Sequence, residues 1–189
     1  MPTPKTTSKD IYQIKVTLLG SKPPIWRRVQ VPADVSLLTL HNIVQNAMGW
    51  ENGHLHQFII GGTYYGDEML LDEGDVEDEA KFKLNKVVKR PKEKFIYEYD
   101  FGDSWEHQLE VEKILPAEPD VHYPRCVAGK RACPPEDCGG VWGYASLLEA
   151  IGDPDHPEHE DMSEWVGDDF DPEKFDLDGV NKILRGYSK

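Results

Sequence analysis

The sequence predicts an α+β domain built on a mostly antiparallel sheet. Apolar and polar residues alternate in several segments of the first 111 residues, a pattern typical of half-buried strands. Apolar residues at helical spacing follow in the last third. The length of 189 residues and the composition, 39% hydrophobic and 30% charged, suit one globular domain. We therefore expect a single domain over residues 10–189, preceded by a flexible tail at 1–9.

The chain opens with a predicted N-terminal hairpin and one early helix. Apolar residues alternate through 12–18 and again through 25–31, on either side of a proline-containing turn at 21–24. This arrangement predicts two antiparallel strands. Ser36 is positioned to cap a helix, and Gly49 is positioned to end it.

The clearest hairpin of the sequence lies between residues 95 and 111. Each of its two runs places aromatic and apolar residues on one face: Phe95, Tyr97, Tyr99 and Phe101, then Trp105, His107, Leu109 and Val111. In a hairpin, residues directly opposite each other point to the same face of the sheet. A shift of the pairing by one residue would move every side chain of one strand to the other face. The two apolar runs therefore share a face only if the turn has an odd number of residues. We predict a three-residue turn at 102–104, which pairs Phe101 with Trp105 and Tyr99 with His107.

The remaining segments are predicted from composition. Residues 67–80 hold eight acidic residues and no basic one, which indicates a solvated loop. Residues 116–143 are rich in Pro, Gly and Cys without periodicity, which predicts a long loop of the kind that often has a function. Helices are expected at 144–151, 157–165 and 177–184, so the C-terminal third is predicted to be helical.

The net charge of −14 argues against general binding to nucleic acids or anionic membranes, which repel such a surface. The basic segment 81–94 is the exception, and it either contacts phosphates or is neutralised by the acidic loop before it. No apolar run approaches the ~20 residues of a membrane span, and the start lacks a signal-peptide pattern. We therefore expect a cytoplasmic protein whose partner is another protein or a small ligand.

Five stretches carry a resemblance to a known family: Tyr12–Val16, Pro24–Arg28, Tyr99–His107, Tyr123–Cys126 and Pro134–Gly140. On these stretches the chain resembles, over nearly its whole length, the plasmid pRiA4b ORF-3-like family. The resemblance implies an α/β-roll-like single domain and a link to mobile elements, since some relatives carry a resolvase label. Serine recombination needs an activated Ser with clustered Arg, and no such spacing is recognisable here.

Three cysteines within thirteen residues form a candidate zinc site. Zinc takes four N or S ligands, so Cys126, Cys133 and Cys138 need a fourth, for which His122 or His107 is available. Paired Cys-x2-Cys motifs are absent, and the alternative interpretation is three buried free thiols. A disulfide is disfavoured in a reducing compartment. The one cofactor that the sequence suggests is therefore a structural zinc ion.

One face of the 95–111 hairpin is a candidate ligand site. The residues proposed for it are Tyr97, Tyr99, Trp105 and His107, with Asp100 and Asp103 at the turn. An aromatic floor edged by carboxylates suits a flat or cationic ligand, although aromatic residues on one strand face also pack as core. His54 and His56 could chelate a metal from alternate strand positions, but two histidines alone are weak evidence.

No phosphate-binding loop, dinucleotide fingerprint, serine-hydrolase elbow or EF-hand is present in the sequence. The leading hypothesis is therefore a non-catalytic binding or interaction module linked to mobile elements. One alternative is a metal-assisted hydrolase that uses some of the histidines, cysteines and aspartates. The other is a nucleic-acid-associated protein that acts through segment 81–94.

Overall fold

A computed structural model describes residues 10–187 and places one eight-stranded sheet at the centre of the fold. The strands are β1 (Asp10–Leu18), β2 (Trp26–Pro32), β3 (His56–Ile60), β4 (Thr63–Gly66), β5 (Val76–Asp78), β6 (Lys94–Tyr99), β7 (Trp105–Pro116) and β8 (Arg125–Lys130). Their order is β5-β4-β3-β6-β7-β1-β2-β8, and β4 with β5 is the one parallel pair within the described chain. The predicted α+β fold is confirmed, and the predicted tail at 1–9 lies outside the described residues.

Within residues 10–187, five α-helices accompany the sheet. They are α1 (Leu37–Met48), α2 (Leu84–Val87), α3 (Gly140–Gly152), α4 (His159–Val166) and α5 (Leu177–Leu184). The Ser36 hydroxyl accepts a hydrogen bond from the backbone N–H of Thr39 at 3.0 Å, and Gly49 ends α1 with φ 112°, as predicted. Between residues 10 and 187, no helix combines the length and apolarity needed to cross a bilayer.

Arg27 of β2 anchors the end of α1 to the sheet. Only 1% of this residue is exposed, and its guanidinium lies 4.0 Å from the centre of the Phe175 ring. The guanidinium donates hydrogen bonds to four backbone carbonyls: Ala47 (2.8 Å), Met48 (3.1 Å), Trp26 (2.9 Å) and Lys130 (3.1 Å). Two of these carbonyls belong to the last turn of α1, where backbone carbonyls have no hydrogen-bond partner inside the helix. Arg27 thus acts as a buried cap for α1.

The predicted register of the β6–β7 hairpin is wrong by two residues, although the predicted faces are right. Tyr99 pairs with Trp105, and the turn comprises the five residues 100–104. Asp100 adopts the left-handed conformation with φ 58°, and its carboxylate accepts hydrogen bonds from two backbone N–H groups of the turn, at 3.0 and 3.4 Å. Phe101 therefore leaves the sheet face and is 39% exposed in the turn.

The segment 116–143, predicted as a loop, contains the edge strand β8. The side chain of Asn181 in α5 accepts a hydrogen bond from the backbone N–H of Cys126 and donates one to its carbonyl, both at 2.8 Å. These two bonds reproduce those that a neighbouring strand would make. The sequence did not reveal β8, because Pro, Cys and Gly dominate this segment and obscure any alternation of apolar and polar residues.

The acidic segment 67–80 is also more structured than predicted. It contains two 3-10 turns and β5, which pairs with β4. Glu79 is buried and lies 2.9 Å from Nε2 of His56. One carboxylate of the run is thus part of the core, while most of the others are exposed.

Candidate functional site

Two of the stretches that carry the family resemblance, Tyr99–His107 and Pro134–Gly140, meet at the turn between β6 and β7. The carboxylate of Asp103 accepts a hydrogen bond from the backbone N–H of Gly139 at 3.1 Å. Gly140 has φ 67°, and a Cβ atom there would lie 2.5 Å from the carbonyl oxygen of Asp103. The turn 100–104 and the segment 134–140 are therefore in direct contact, and glycine makes this approach possible.

Replacing Gly140 with Ala is expected to lower the free energy of unfolding by about 2 kcal/mol, because the added Cβ strains the backbone and pushes the two segments apart. Urea unfolding measures this change. The matched control is Gly152→Ala at the other end of α3, where no atom lies within 4 Å of the added Cβ. That control should change stability by less than about 0.5 kcal/mol, and equal effects of both changes would contradict the prediction.

Beside this contact, a histidine faces three carboxylates. Nε2 of His54 lies 3.2 Å from Oδ1 of Asp137, 3.7 Å from Oε2 of Glu136 and 3.8 Å from Oδ2 of Asp100. Ligand atoms of His54, Asp100 and Asp137 all lie within 4.8 Å of one another. In the described part of the chain, this is the one set of three or more His, Cys or acidic side chains so arranged. We call these four residues the His54 cluster.

Glu136 is held in the His54 cluster by a defined set of donors. Its Oε1 accepts hydrogen bonds from the backbone N–H of Glu51 at 2.8 Å and from the hydroxyl of Tyr99 at 3.1 Å. Burial, aided by the nearby Glu136, raises the pKa of Tyr99, so this hydroxyl stays a neutral donor. Oε2 of Glu136 is buried and has no hydrogen-bond partner. The free oxygen faces His54, and a buried acceptor without a partner is costly.

The backbone around the His54 cluster is strained. Asn52, Asp100 and Asp137 all adopt left-handed φ angles, of 57°, 58° and 56° respectively. Non-glycine residues adopt this conformation at a cost, and such residues concentrate at functional sites. No Lys or Arg nitrogen lies within 4 Å of the three carboxylates among residues 10–187. The cluster therefore gathers negative charge without a protein cation to balance it.

The aromatic face predicted as a ligand site is packed into the core instead. Tyr97, Tyr99, Trp105 and His107 are all fully buried. Trp50 covers this face, and its indole N–H donates to Nε2 of His107 at 3.1 Å. Burial lowers the pKa of His107 to about 4. Asp100, by contrast, belongs to the His54 cluster, and Asp103 positions the adjoining segment.

A buried polar network extends from the core to the loop that carries His54. The rings of His41 and His56 stack with centroids 3.4 Å apart, and Nδ1 of His41 lies 2.8 Å from the hydroxyl of Tyr97. Nε2 of His41 lies 2.9 Å from Oδ1 of Asn52. Burial and the neighbouring His56 lower the pKa of His41 to about 3. His41, Asn52 and His54 also line a cavity of 390 Å³ beside the cluster.

The structure does not bring the predicted zinc ligands together. The Cys126 thiol donates to the carbonyl of Ala128 at 3.3 Å, and His122 instead lies 3.4 Å from the carbonyl of Arg185. Burial raises the pKa of all three cysteines, that of Cys138 to about 12, so the packed thiols stay protonated. Zinc binding by the cysteines stays a prediction that this geometry does not favour.

The basic segment 81–94 is partly neutralised within the chain. Lys81 lies 3.0 Å from Asp78, and Lys94 lies 3.6 Å from Glu110. One of these two carboxylates comes from the preceding acidic run. Nucleic-acid binding through this segment stays a prediction.

Sequence reasoning missed most of the His54 cluster. It selected Asp100, but it did not connect His54, Glu136 and Asp137, which lie up to 83 positions apart in the chain. A signal for two of them was present, because Glu136 and Asp137 stand inside one of the stretches that carry the family resemblance and Asp100 stands inside another.

Comparisons with known proteins show the family to which the chain is similar. The family described as "Plasmid pRiA4b ORF-3-like protein" matches residues 10–179. The "Uncharacterized protein y4hQ" of Sinorhizobium fredii is 38% identical over 177 residues, covering 92% of this chain and 90% of the relative. The crystal structure of a "Protein of Unknown Function MM3350" from Methanosarcina mazei Go1 has a TM-score of 0.82 at 44% identity, covering 91% of this chain and 98% of that one. This chain belongs to the plasmid pRiA4b ORF-3-like protein family.

Proposed function

We propose that this chain is a binding module for a divalent transition-metal ion, held by His54, Asp100, Glu136 and Asp137. The observation that supports this proposal is the convergence of three carboxylates on one imidazole nitrogen, with a buried oxygen of Glu136 left without a partner. A cation placed between these atoms would offset the carboxylate repulsion and satisfy that oxygen.

The donor set indicates which ions fit. Oxygen ligands suit Mg²⁺, Ca²⁺ and Mn²⁺, whereas imidazole suits Zn²⁺ and Fe²⁺. A mixed set of one nitrogen and three carboxylates therefore favours Mn²⁺ or Zn²⁺. Two ligands that each lie about 2.1 Å from one ion are about 3.4 Å apart in tetrahedral geometry. The distances of 3.2–3.8 Å from His54 Nε2 to the three carboxylates are close to this spacing.

The His54 cluster is open on one side. The side chains of His54 and Asp137 are 34% and 72% exposed, whereas Asp100 and Glu136 are mostly buried. A bound ion would thus rest on the two buried carboxylates and keep a position for water or an external ligand. The cavity of 390 Å³ that includes His54 provides room for such a ligand.

Isothermal titration with Mn²⁺ and with Zn²⁺ tests the proposal, using protein purified without a histidine tag and treated with a chelator. We expect one ion per chain. His54→Ala and Asp137→Asn should each weaken binding by about tenfold or more, because each removes a ligand or its charge, and loss of a mere supporting partner of a ligand already costs about tenfold to 100-fold. Asn retains the size of Asp and tolerates the left-handed backbone at position 137, so Asp137→Asn should still fold.

His122→Ala is the matched control, since His122 is exposed and belongs to the predicted cysteine site rather than to the His54 cluster. It should leave metal binding unchanged. Absence of stoichiometric binding, or equal binding by wild type and His54→Ala, would overturn the proposal. A loss of zinc binding in His122→Ala alone would instead favour the cysteine site.

Metal-assisted hydrolysis is the second candidate function. The open side of the His54 cluster and the adjacent cavity favour it, since a metal-bound water needs a free position and a substrate needs space. The test is release of nitrophenol from p-nitrophenyl acetate and p-nitrophenyl phosphate by the metal-loaded protein. Turnover that requires both the ion and His54 would support hydrolysis, and turnover that survives His54→Ala would exclude this site as its source.

A further inference from the structure

A groove of 320 Å³ runs between α3 and α4 and begins at Asp137. Its apolar lining comes from Leu147, Met162 and Trp165, and its acidic lining comes from Asp137 and Glu158. Trp165 is 50% exposed, which is a large apolar area to leave in water. The groove therefore combines an apolar lining with two carboxylates.

The surface around this groove combines many acidic side chains with exposed tryptophans. Residues 153–178 hold twelve acidic residues and one base, Lys174. Among the described residues, Glu173 is the one of these twelve acidic residues that forms an ion pair, and its partner is Arg131. Trp142 is 84% exposed and stands one helical turn before Ser146, which lines the groove. Exposed tryptophans are more typical of a recognition surface than of a solvated helix face, because Trp is enriched at interfaces and in their hot spots.

We propose that the groove docks a basic amphipathic peptide segment of another protein, with apolar side chains against Trp165 and Met162 and Lys or Arg side chains beside Glu158 and Asp137. Charge complementarity is the argument for this occupant, because within residues 10–187 no Lys or Arg nitrogen lies within 4 Å of the Glu158 or Asp137 carboxylate, and the one ion-pair partner of Asp137 is the His54 imidazole. Trp165 supplies a face for an apolar side chain and for a cation. The inference goes beyond metal binding and shares only Asp137 with the His54 cluster.

Fluorescence anisotropy tests the proposal with a labelled peptide of Lys, Leu and Ala, whose leucines recur at three- and four-residue spacing. The full chain is used at about 50 mM NaCl with a chelator present, so the result does not depend on metal binding. Trp165→Ala should weaken binding by about tenfold or more, and Glu158→Gln by about threefold. Neither residue belongs to the His54 cluster, so failure here leaves the metal proposal standing.

Tyr64→Ala is the matched control, since Tyr64 is an exposed aromatic residue of β4, and it should leave peptide binding unchanged. A peptide with Glu in place of Lys should not bind, and one with Ser in place of Leu should bind more weakly. Equal weakening by Trp165→Ala and Tyr64→Ala, or equal binding of the serine peptide, would indicate diffuse charge attraction and overturn the proposal. A dimer that Trp165→Ala converts to monomer would show that a second copy occupies the groove, which also overturns it.

Discussion

Replacing Arg27 with Met is expected to lower the free energy of unfolding by about 4 kcal/mol. The guanidinium donates to four backbone carbonyls, and methionine donates to none. Each buried carbonyl left without a partner costs about 1–3 kcal/mol, and relief from burying the charge offsets part of the total. The effect is large because the lost bonds join α1, β2 and β8 at one point. Urea unfolding followed by far-UV circular dichroism measures it.

Arg28→Met is the matched control, because Arg28 is the next residue of the same strand and lies on the opposite sheet face. It forms a partly exposed pair with Glu112, at 2.6 Å from its Nε. The pair is bidentate but reaches solvent, with side chains 29% and 20% exposed, so this change should cost about 1–2 kcal/mol, well below the cost at Arg27. If the two substitutions prove equally costly, the account of Arg27 as a buried cap is wrong. Arg27→Lys should recover only part of the loss, since an ammonium cannot reach four carbonyls at once.

Acidification from pH 7 to pH 5 is expected to lower the free energy of unfolding by about 4 kcal/mol through His41 and His107. Burial holds the pKa of His41 at about 3 and that of His107 at about 4 in the folded chain. In the unfolded chain both titrate near a pKa of about 6.5. Below that pH the unfolded state binds more protons than the folded state, so stability falls as the pH falls. The loss continues until the pH reaches the folded pKa values.

His107→Gln separates this effect from other titrations. Glutamine can still accept the hydrogen bond from Trp50, but it does not titrate. The variant should be less stable than wild type at pH 7, and its loss between pH 7 and pH 5 should be smaller by about 2 kcal/mol. Urea unfolding midpoints across that range provide the measurement. Identical pH dependence of the two proteins would show that His107 does not stay neutral in the folded chain.

The hairpin shows how far the sequence predicts the fold. Alternation placed Tyr99 and Trp105 on the same face, because the period of two leaves no other arrangement that buries both runs. It did not fix the turn length, since turns of three and five residues preserve the faces equally well. The left-handed conformation of Asp100 and its two backbone hydrogen bonds select the longer turn. Such local bonds are not visible in a pattern of apolar residues.

The candidate site was less predictable than the fold. Asp100 was selected because it lies at a turn, but its partners His54 and Glu136 approach it from loops that no periodic pattern organises. Glu136 follows two prolines in a segment whose path is set by contacts with the β6–β7 turn. Only the folded chain brings these loops together, so a single sequence cannot supply the distances that define the His54 cluster.

The closure of β8 by Asn181 has a consequence for self-assembly. An open sheet border is a template on which a second chain can add a strand and begin a fibril. Asn181 occupies the donor and acceptor of Cys126 at one border, and at the other β5 is three residues long and bears Glu77 and Asp78. Both borders are therefore poor templates for fibril growth. The two proposed binding sites, the His54 cluster and the α3–α4 groove, lie instead on loops and helices.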